Sequence, residues 1–416
     1  MRFGKKRIGV VIVSLSLLVS IKVYRWSRGT ASLYAGHELL YADTLSQEIP
    51  HEPFILLPKA SRYRFLDGTL ENISFEVDAD ACSSKKIVRH GTLLKIPGAR
   101  ATIIMCHGFM CDKKDIGIIR MLLRGGKYQY NILSFDFRGH GENAKGQACT
   151  MGRNEIHDIL GAVTYIKSLK DIKHLPLIGY GFSMGAVSLI QTQGNAHTIT
   201  REKAPFDALV LDCPFDSSDT ILKRVLERLK VSVLGYRFGL PAQSYLHKYF
   251  FTSYVQSCFK FLLRASSKFE AQQVTLSLEE IIPYKSAQHI TVPALIITCS
   301  NDEKVPLESV ENVYANLASS YKELWITNGR RHFDSLFYNP EAYTYRVLRF
   351  IEKFIDKKFT HKKAHKIYTD IPDTLSLKIA ASRTYALKKL ILQEAKMCNN
   401  QNEQKDTQEE GSDDSE

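Results

Sequence analysis

The sequence predicts an α/β protein with a mostly parallel, doubly wound sheet and helices on both faces of that sheet. Short apolar runs with the length of buried strands recur along the chain and alternate with helix-like stretches, as parallel strands joined by crossover helices require. Because ligands of such sheets bind at the carboxyl ends of the strands, the polar residues that follow these runs are the candidates for a functional site. The runs that predict parallel strands are residues 101–106, 130–135, 176–179, 208–211, 294–298 and 323–326.

The segments between and around these runs complete the predicted architecture. Residues 73–97 have a strand pattern, and residues 154–169 and 184–193 have the pattern of helices. Residues 217–284 break the rhythm with a helix-like stretch rich in Tyr and Phe, which predicts a helical cap insertion over the strand ends. Its aromatic residues either line an apolar pocket for an acyl or aromatic substrate or form the insertion's own core.

Length and charge limit the classes of protein that fit. The 416 residues accommodate one large domain with appendages, and 44% hydrophobic with 24% charged residues argues against a disordered chain or a polytopic membrane protein. The net charge of +12 permits contact with anionic lipid, but the chain has no zinc-finger spacing or RNA-binding signature, so we expect no nucleic-acid partner. We assign residues 60–358 to the main domain, 359–398 to a basic and amphipathic C-terminal extension, and 399–416 to an acidic disordered tail.

Residues 1–28 predict a membrane anchor or a signal segment. Four basic residues precede the apolar run 8–21 and three follow it. The 14 residues of the run span about 21 Å as a helix, short of a hydrocarbon core of about 30 Å, but Lys22 can reach the headgroups and Tyr24 and Trp26 suit the interface. Because no clear cleavage site follows, we favour an uncleaved single-pass anchor over a cleaved signal or an interfacial helix. The charge difference favours an extracytoplasmic main domain.

The eight cysteines show no CxxC pair and no ligand spacing with histidines, so the sequence predicts no metal site. Cys106, Cys213 and Cys299 end apolar runs, where cysteine usually serves as a small buried hydrophobe. The even number of cysteines permits disulfides if the domain lies outside the cytosol, so the compartment stays open at this point.

A candidate nucleophile lies in the segment Gly181-Phe182-Ser183-Met184-Gly185, directly after an apolar run and before a helix-like stretch. A serine hydroxyl is a weak nucleophile at neutral pH, so it has to be presented on a strained strand-to-helix turn where a histidine can reach it. At Gly181 and Gly185 a side chain would collide with this turn or with the neighbouring strand. Ser183 is therefore the predicted nucleophile.

Candidates for the base and the acid follow the last two predicted strands. His332 precedes the last helix, so its imidazole can reach over the strand ends toward Ser183. Asp302 follows the preceding strand, where a carboxylate can hold the histidine tautomer and stabilise the imidazolium. Glu303 and Asp212 remain alternative acids.

A developing oxyanion needs two N–H donors. The amide of Met184 begins a helix, where N–H groups point outward without intrahelical partners. Phe109 follows Gly108 at the end of an earlier strand, and the glycine lets the backbone approach a substrate closely. The amides of Phe109 and Met184 are therefore the predicted oxyanion hole.

These motifs belong to a longer set that lies in a fixed order along the chain. The set comprises His107-Gly108-Phe109, Asp136-Phe137-Arg138-Gly139-His140-Gly141-Glu142, Gly181-Phe182-Ser183-Met184-Gly185, Asp212-Cys213-Pro214-Phe215, Asp302 and His332. With it, residues 60–358 resemble an α/β-hydrolase of the serine aminopeptidase and monoacylglycerol-lipase-like branch. The resemblance implies hydrolysis of an ester, thioester or amide without a metal or organic cofactor. It also implies that Arg138 and His140 shape a structural turn beside the site.

We therefore expect a membrane-anchored serine hydrolase that cleaves an acyl ester, in the manner of a carboxylesterase or lipase, through an acyl-enzyme. His332 deprotonates Ser183 and Asp302 orients His332 in this hypothesis. The expected partners are a small-molecule or lipid-like acyl substrate and, through the N-terminal segment, a membrane. The alternatives are a thioesterase or an amidase or peptidase of the same fold, and a catalytically silent interaction module.

Overall fold

The computed structural model describes the central part of the chain. The predicted anchor at residues 1–28, the tail at residues 399–416 and most of the C-terminal extension lie outside it. No helix within the described part combines the length and apolar character needed to cross a bilayer. The described residues are 68–80, 85–123, 127–143, 147–196, 204–228, 230–233, 236–239, 249, 275–276, 280–328, 332–338, 340–357 and 364–369.

One twisted sheet organises the described residues. The described strands are β1 (Thr69–Asp78), β2 (Lys86–Lys95), β3 (Ala101–Cys106), β4 (Tyr130–Phe135), β5 (Ala148–Cys149), β6 (Leu177–Phe182), β7 (Ala208–Asp212), β8 (Lys230–Val233), β9 (Tyr236–Gly239), β10 (Thr275–Leu276), β11 (Ala294–Cys299), β12 (Tyr321–Thr327) and β13 (Ala364–Thr369). Nine of them form the sheet in the order β1-β2-β4-β3-β6-β7-β11-β12-β13, and all neighbours from β4 to β13 are parallel, whereas β1 and β2 run antiparallel to their neighbours. The predicted α/β class with a mostly parallel, doubly wound sheet is confirmed.

Helices cover both faces of the sheet. The helices are α1 (Gly117–Leu123), α2 (Glu155–Ser168), α3 (Met184–Gly194), α4 (Ser218–Arg228), α5 (Pro283–Ala287), α6 (Leu307–Asn316), α7 (Asp334–Tyr338) and α8 (Pro340–Ile355), with a 3-10 turn at Gly141–Asn143. Helices α2, α3 and α6 pack into one hydrophobic core, and α1 and α8 pack into a second core on the opposite face.

Strand β3 shows how the two cores arise from the sequence. Ile104 and Cys106 belong to the first core, and Ile103 and Met105 belong to the second, because successive side chains of a strand point to opposite faces. All four side chains are fully buried, and Ile103, Ile104 and Met105 each contribute about 1.5–3 kcal/mol on burial. A strand buried on both faces reads as an unbroken apolar run, which is why the parallel strands could be predicted.

The structure differs from the prediction at two places. Part of the insertion predicted as helical is an antiparallel hairpin of β8 and β9, although α4 is helical. Strand β13 extends the sheet beyond residue 358, where the main domain was predicted to end. This strand lies at the sheet edge and exposes 60% of Ile367, so its sequence contains no continuous apolar run. Most of the aromatic residues of the insertion lie outside the described residues.

Candidate active site

Ser183 occupies a strained turn between β6 and α3. Its φ of +50° and ψ of −110° form a conformation that residues with a side chain rarely adopt, at a cost of about 1–3 kcal/mol. The Ser183 N–H donates to the Asp212 carbonyl oxygen at 2.7 Å, and the Ser183 carbonyl accepts from the Val187 N–H at 2.9 Å. These two bonds tie the turn to the neighbouring strand and to the first turn of α3.

The two glycines that flank Ser183 allow this close packing. A Cβ atom at Gly181 would lie 2.6 Å from the amide nitrogen of Ala186. A Cβ atom at Gly185 would lie 2.2 Å from the carbonyl oxygen of Cys106 on β3. Both distances are far below van der Waals contact, so a side chain at either position would displace backbone atoms.

The structure brings Asp302 and His332 together. His332 Nδ1 lies 2.7 Å from Asp302 Oδ2, and Asp302 Oδ1 accepts the backbone N–H groups of Lys304 (2.7 Å) and Val305 (2.9 Å). Burial raises the pKa of the Asp302 carboxyl, but the attraction of His332 and these hydrogen bonds outweigh it and hold the pKa below its ordinary value. An ionised Asp302 fixes the proton on His332 Nδ1, which leaves Nε2 with a free lone pair.

The segment that carries His332 lies over the strand ends that carry the other predicted site residues. The ring of Phe333, the next residue, packs edge-on against Phe182 with 6.0 Å between the ring centroids. A Cβ atom at Gly108 would lie 3.1 Å from the same Phe333 ring. Phe182 precedes Ser183 and Gly108 precedes Phe109, so the ring directly after His332 packs between the two segments that deliver these residues.

The predicted oxyanion donors lie at the ends of β3 and β6. Met184 is the first residue of α3, where the backbone N–H has no acceptor within the helix. Phe109 lies in a turn closed by the Cys111 N–H, which donates to the Gly108 carbonyl at 3.3 Å. The roles of Phe109 and Met184 as oxyanion donors stay predictions.

His107, which begins the same turn, supports the backbone and takes no part as a base. Its Nε2 accepts the Phe137 N–H at 2.9 Å, so its Nδ1 carries the proton and donates to the Gly108 carbonyl at 2.7 Å. Burial lowers the pKa of His107 to about 3, with a smaller contribution from His140. His107 is therefore neutral at physiological pH and links the turn after β3 to the turn after β4.

Arg138 and His140 lie in the turn after β4 and make structural contacts. The Arg138 guanidinium forms a buried ion pair with Asp158 on α2 at 2.7 Å and donates to the backbone carbonyls of Asp78 and Ala79. His140 Nδ1 donates to the Arg138 carbonyl at 2.9 Å, and burial lowers the pKa of His140. These contacts fit the scaffolding role that the resemblance implies for both residues.

Of the two alternative acids, Glu303 is exposed and Asp212 is buried at the end of β7. Asp212 Oδ2 accepts the Tyr343 hydroxyl at 2.6 Å, and the Tyr343 oxygen lies 2.6 Å from the Tyr180 hydroxyl. Asp212 Oδ1 has no hydrogen-bond partner among the described residues. Burial raises the pKa of Asp212 to about 6, against the opposing donation from Tyr343 and the weak thiol donor of Cys213.

Sequence reasoning missed two groups beside the site. The Lys113 ammonium bonds Asp136 at 2.8 Å and Glu142 at 2.6 Å, which fastens the segment after Phe109 to the turn after β4. Cys213 directly follows β7 with a φ of +50°, the same strained value as Ser183. Contact with the Cys299 thiol and burial raise the pKa of the Cys213 thiol well above its ordinary value. Its position at a strand end was the available signal, but its apolar surroundings indicated a core residue.

Comparison with known families identifies the kind of protein that carries this geometry. The family model described as the alpha/beta hydrolase family matches residues 103–344, more than half of the chain. This chain belongs to the alpha/beta hydrolase family. The matched part of this hydrolase includes Ser183, Asp302 and His332. The branch within the family stays a prediction.

Individual relatives are distant. The uncharacterized protein YqkD of Bacillus subtilis is 27% identical over 257 residues, which cover 61% of this chain and 71% of that protein. The solved esterase Pf2001 of Pyrococcus furiosus is 22% identical with a TM-score of 0.48, over 69% of this chain and 94% of that one. Est1E of Butyrivibrio proteoclasticus, solved with ferulic acid bound, is 19% identical with a TM-score of 0.44, over 68% of this chain and 99% of that one. The family assignment rests on the match over residues 103–344, and none of these individual similarities assigns a substrate.

Proposed function

We propose that this protein is a serine hydrolase that cleaves an acyl ester, in the manner of a carboxylesterase or lipase, through a covalent acyl-enzyme. The observation that carries the proposal is the 2.7 Å hydrogen bond between His332 Nδ1 and Asp302 Oδ2, at the carboxyl ends of the strands where Ser183 occupies its strained turn. A buried, ionised carboxylate that fixes a histidine tautomer is what a general base beside a serine requires.

The proposed reaction follows from these three side chains. His332 Nε2 accepts the Ser183 proton as the hydroxyl attacks the substrate carbonyl, and Asp302 stabilises the imidazolium that forms. The amides of Phe109 and Met184 donate to the oxyanion of the tetrahedral intermediate. The imidazolium then protonates the leaving alcohol, and a water activated by His332 releases the acid from the acyl-enzyme.

Covalent labelling of Ser183 tests this proposal. A fluorophosphonate probe should label the wild-type protein and fail to label Ser183→Ala. The matched control is Ser188→Ala, because Ser188 is a buried serine one turn along α3 that donates to the Met184 carbonyl at 2.7 Å and has no role in the proposed reaction. Equal labelling of wild type and Ser183→Ala would refute the assignment.

The alternative functions make different predictions for the same sample. A catalytically silent interaction module would resist the probe in every variant, and it would gain nothing from the strain at Ser183. A thioesterase, amidase or peptidase would be labelled but would prefer another acyl bond. Rates for acyl esters of graded chain length, beside a thioester and an amide of the same acyl group, distinguish these enzymes through their relative kcat/KM.

We propose in addition that residues 1–28 anchor the hydrolase domain outside the cytoplasm. The support is the apolar run 8–21 between two basic flanks. Replacing Leu17 and Leu18 by Arg should release the full-length protein from membranes at alkaline pH, whereas the wild type should stay bound. If the wild type were released as well as the variant, residues 1–28 would not act as a membrane anchor.

A further inference from the structure

Cys213 places a thiol beside the Asp302–His332 pair. The residue is fully buried, and its N–H donates to the Ile297 carbonyl on β11 at 2.8 Å. The Cys213 sulfur, an Asp302 carboxylate oxygen and a His332 ring nitrogen all lie within 4.8 Å of one another. Three different metal-binding atoms therefore converge from segments that follow β7, β11 and β12.

The chemistry of the three atoms fits one class of cation. Tetrahedral Zn²⁺ binds sulfur at about 2.3 Å and nitrogen or oxygen at about 2.0–2.2 Å, so its ligand atoms lie roughly 3.3–3.7 Å apart. The present separations reach that geometry through shifts on the order of 1 Å. A thiolate and a carboxylate neutralise a dication, and the thiolate favours Zn²⁺, Co²⁺ or Cd²⁺ over Mg²⁺ and Ca²⁺.

We propose that Cys213, Asp302 and His332 form an inhibitory site for a thiophilic divalent cation such as Zn²⁺. The inhibitory effect rests on the proposed function, in which His332 is the base. On binding, bonds form from the metal to the thiolate sulfur, the carboxylate oxygen and one ring nitrogen, and the thiol proton leaves to solvent. If the metal binds Nδ1, the ring proton moves to Nε2. If the metal binds Nε2, the lone pair of Nε2 forms the bond to the metal. His332 cannot accept the Ser183 proton in either case.

Metal binding and inhibition are measured separately on the full-length protein, kept reduced with a non-thiol reductant. Zn²⁺ affinity is measured by calorimetry, and the Co²⁺ complex is tested for a thiolate-to-cobalt charge-transfer band. Ester hydrolysis is then followed against Zn²⁺ and, as a control cation, Mg²⁺, with each variant normalised to its own metal-free rate.

Two cysteine variants identify the ligand. Cys213→Ser should weaken Zn²⁺ binding by about a hundredfold, abolish the charge-transfer band and raise the Zn²⁺ concentration for half-inhibition by a similar factor. Cys111→Ser removes a half-buried thiol near the site but outside the cluster, and it should bind Zn²⁺ like the wild type.

The outcomes separate the site from the proposed function. If Cys213→Ser binds Zn²⁺ as tightly as wild type, if the Co²⁺ complex lacks the band, or if Cys111→Ser is the variant that loses binding, the site is overturned. A wild-type protein that binds Zn²⁺ through Cys213 but hydrolyses no ester overturns the function and retains the site.

Discussion

Two buried aspartates end up beside the same histidine segment, yet their surroundings prepare them for opposite charge states. Asp302 has both carboxylate oxygens bonded, one to His332 and the other to two backbone N–H groups, and its pKa is lowered. Asp212 has one oxygen bonded to a tyrosine and the other without a partner in the described part of the chain, and burial raises its pKa to about 6. Burial is common to both, so the number and charge of the hydrogen-bond partners decide which aspartate can hold an imidazolium.

The largest expected effect is on catalysis. Asp302→Asn should lower kcat for ester hydrolysis by about 10⁴-fold, because the amide holds the wrong histidine tautomer. Asp212→Asn should change kcat by less than about tenfold, because Asp212 supports Ser183 through its backbone carbonyl, which the substitution keeps. Steady-state kinetics of both variants, with circular dichroism to confirm folding, check this contrast. A comparable loss in both would mean that the two aspartates share the role.

The second largest effect is expected on the pH dependence of the free energy of unfolding. The folded pKa of Asp212, about 6, lies above its ordinary value of 3.8, so the folded state retains a proton that the unfolded chain has lost. The contribution of Asp212 is therefore most favourable below about pH 4 and declines by about 3 kcal/mol as the pH rises to about 6. Chemical unfolding of wild type and Asp212→Asn from pH 4 to 7 isolates this slope as a difference. Parallel curves would show that Asp212 ionises normally.

The third effect comes from the donor to Asp212. Tyr343→Phe removes the hydroxyl that donates to Asp212 Oδ2, so we expect a loss of about 1–3 kcal/mol in the free energy of unfolding. The loss should be larger at pH 8 than at pH 5, because only the ionised carboxylate depends fully on the donor. Tyr345→Phe is the matched control on the same helix, since Tyr345 is 59% exposed, and it should stay within about 0.5 kcal/mol of wild type. A pH-independent loss in Tyr343→Phe would contradict the assigned donor.

The smallest effect on stability is expected for Tyr180, whose hydroxyl lies one hydrogen bond further from Asp212 than that of Tyr343. When Asp212 is ionised, the single Tyr343 proton points to it, so Tyr180 must donate to the Tyr343 oxygen at 2.6 Å. Tyr180→Phe should cost about 0.5–1.5 kcal/mol, with little dependence on pH. Unfolding midpoints at pH 5 and 8 measure this. A loss that exceeds that of Tyr343→Phe would place Tyr180, and not Tyr343, as the principal partner of the buried acid.

The parts of the fold that the sequence predicted are those with a local signature. Strands β3 and β4 begin and end at the predicted residues, because each is buried on both faces and reads as one apolar run. The candidate site was readable for a related reason, since Ser183, Asp302 and His332 each follow such a run. Their catalytic roles, like those of Phe109 and Met184, stay predictions.

The features that the sequence left hidden depend on residues far apart in the chain. Tyr343 is separated from Tyr180 by 163 residues and from Asp212 by 131, so no window of sequence contains their network. Cys213 was correctly predicted as a buried residue, but its approach to Asp302 and His332 depends on how three strand ends meet. A local sequence pattern predicts that a segment is a strand, but it does not directly predict which strands are neighbours in the sheet. The long-range side-chain contacts depend on that strand order.

Strand β13 changes where the hydrolase unit ends. The Arg346 guanidinium on α8 lies over two neighbouring rings, with its Cζ atom 4.9 Å from the centroid of Trp325 on β12 and 4.3 Å from that of Tyr368 on β13. A chain cut at residue 358 would lose the contact between Arg346 and Tyr368. Strand β12 would become the edge strand of the sheet, and its unpaired backbone groups would be a template for association with other copies. The boundary for expressing the enzyme alone therefore belongs after Thr369.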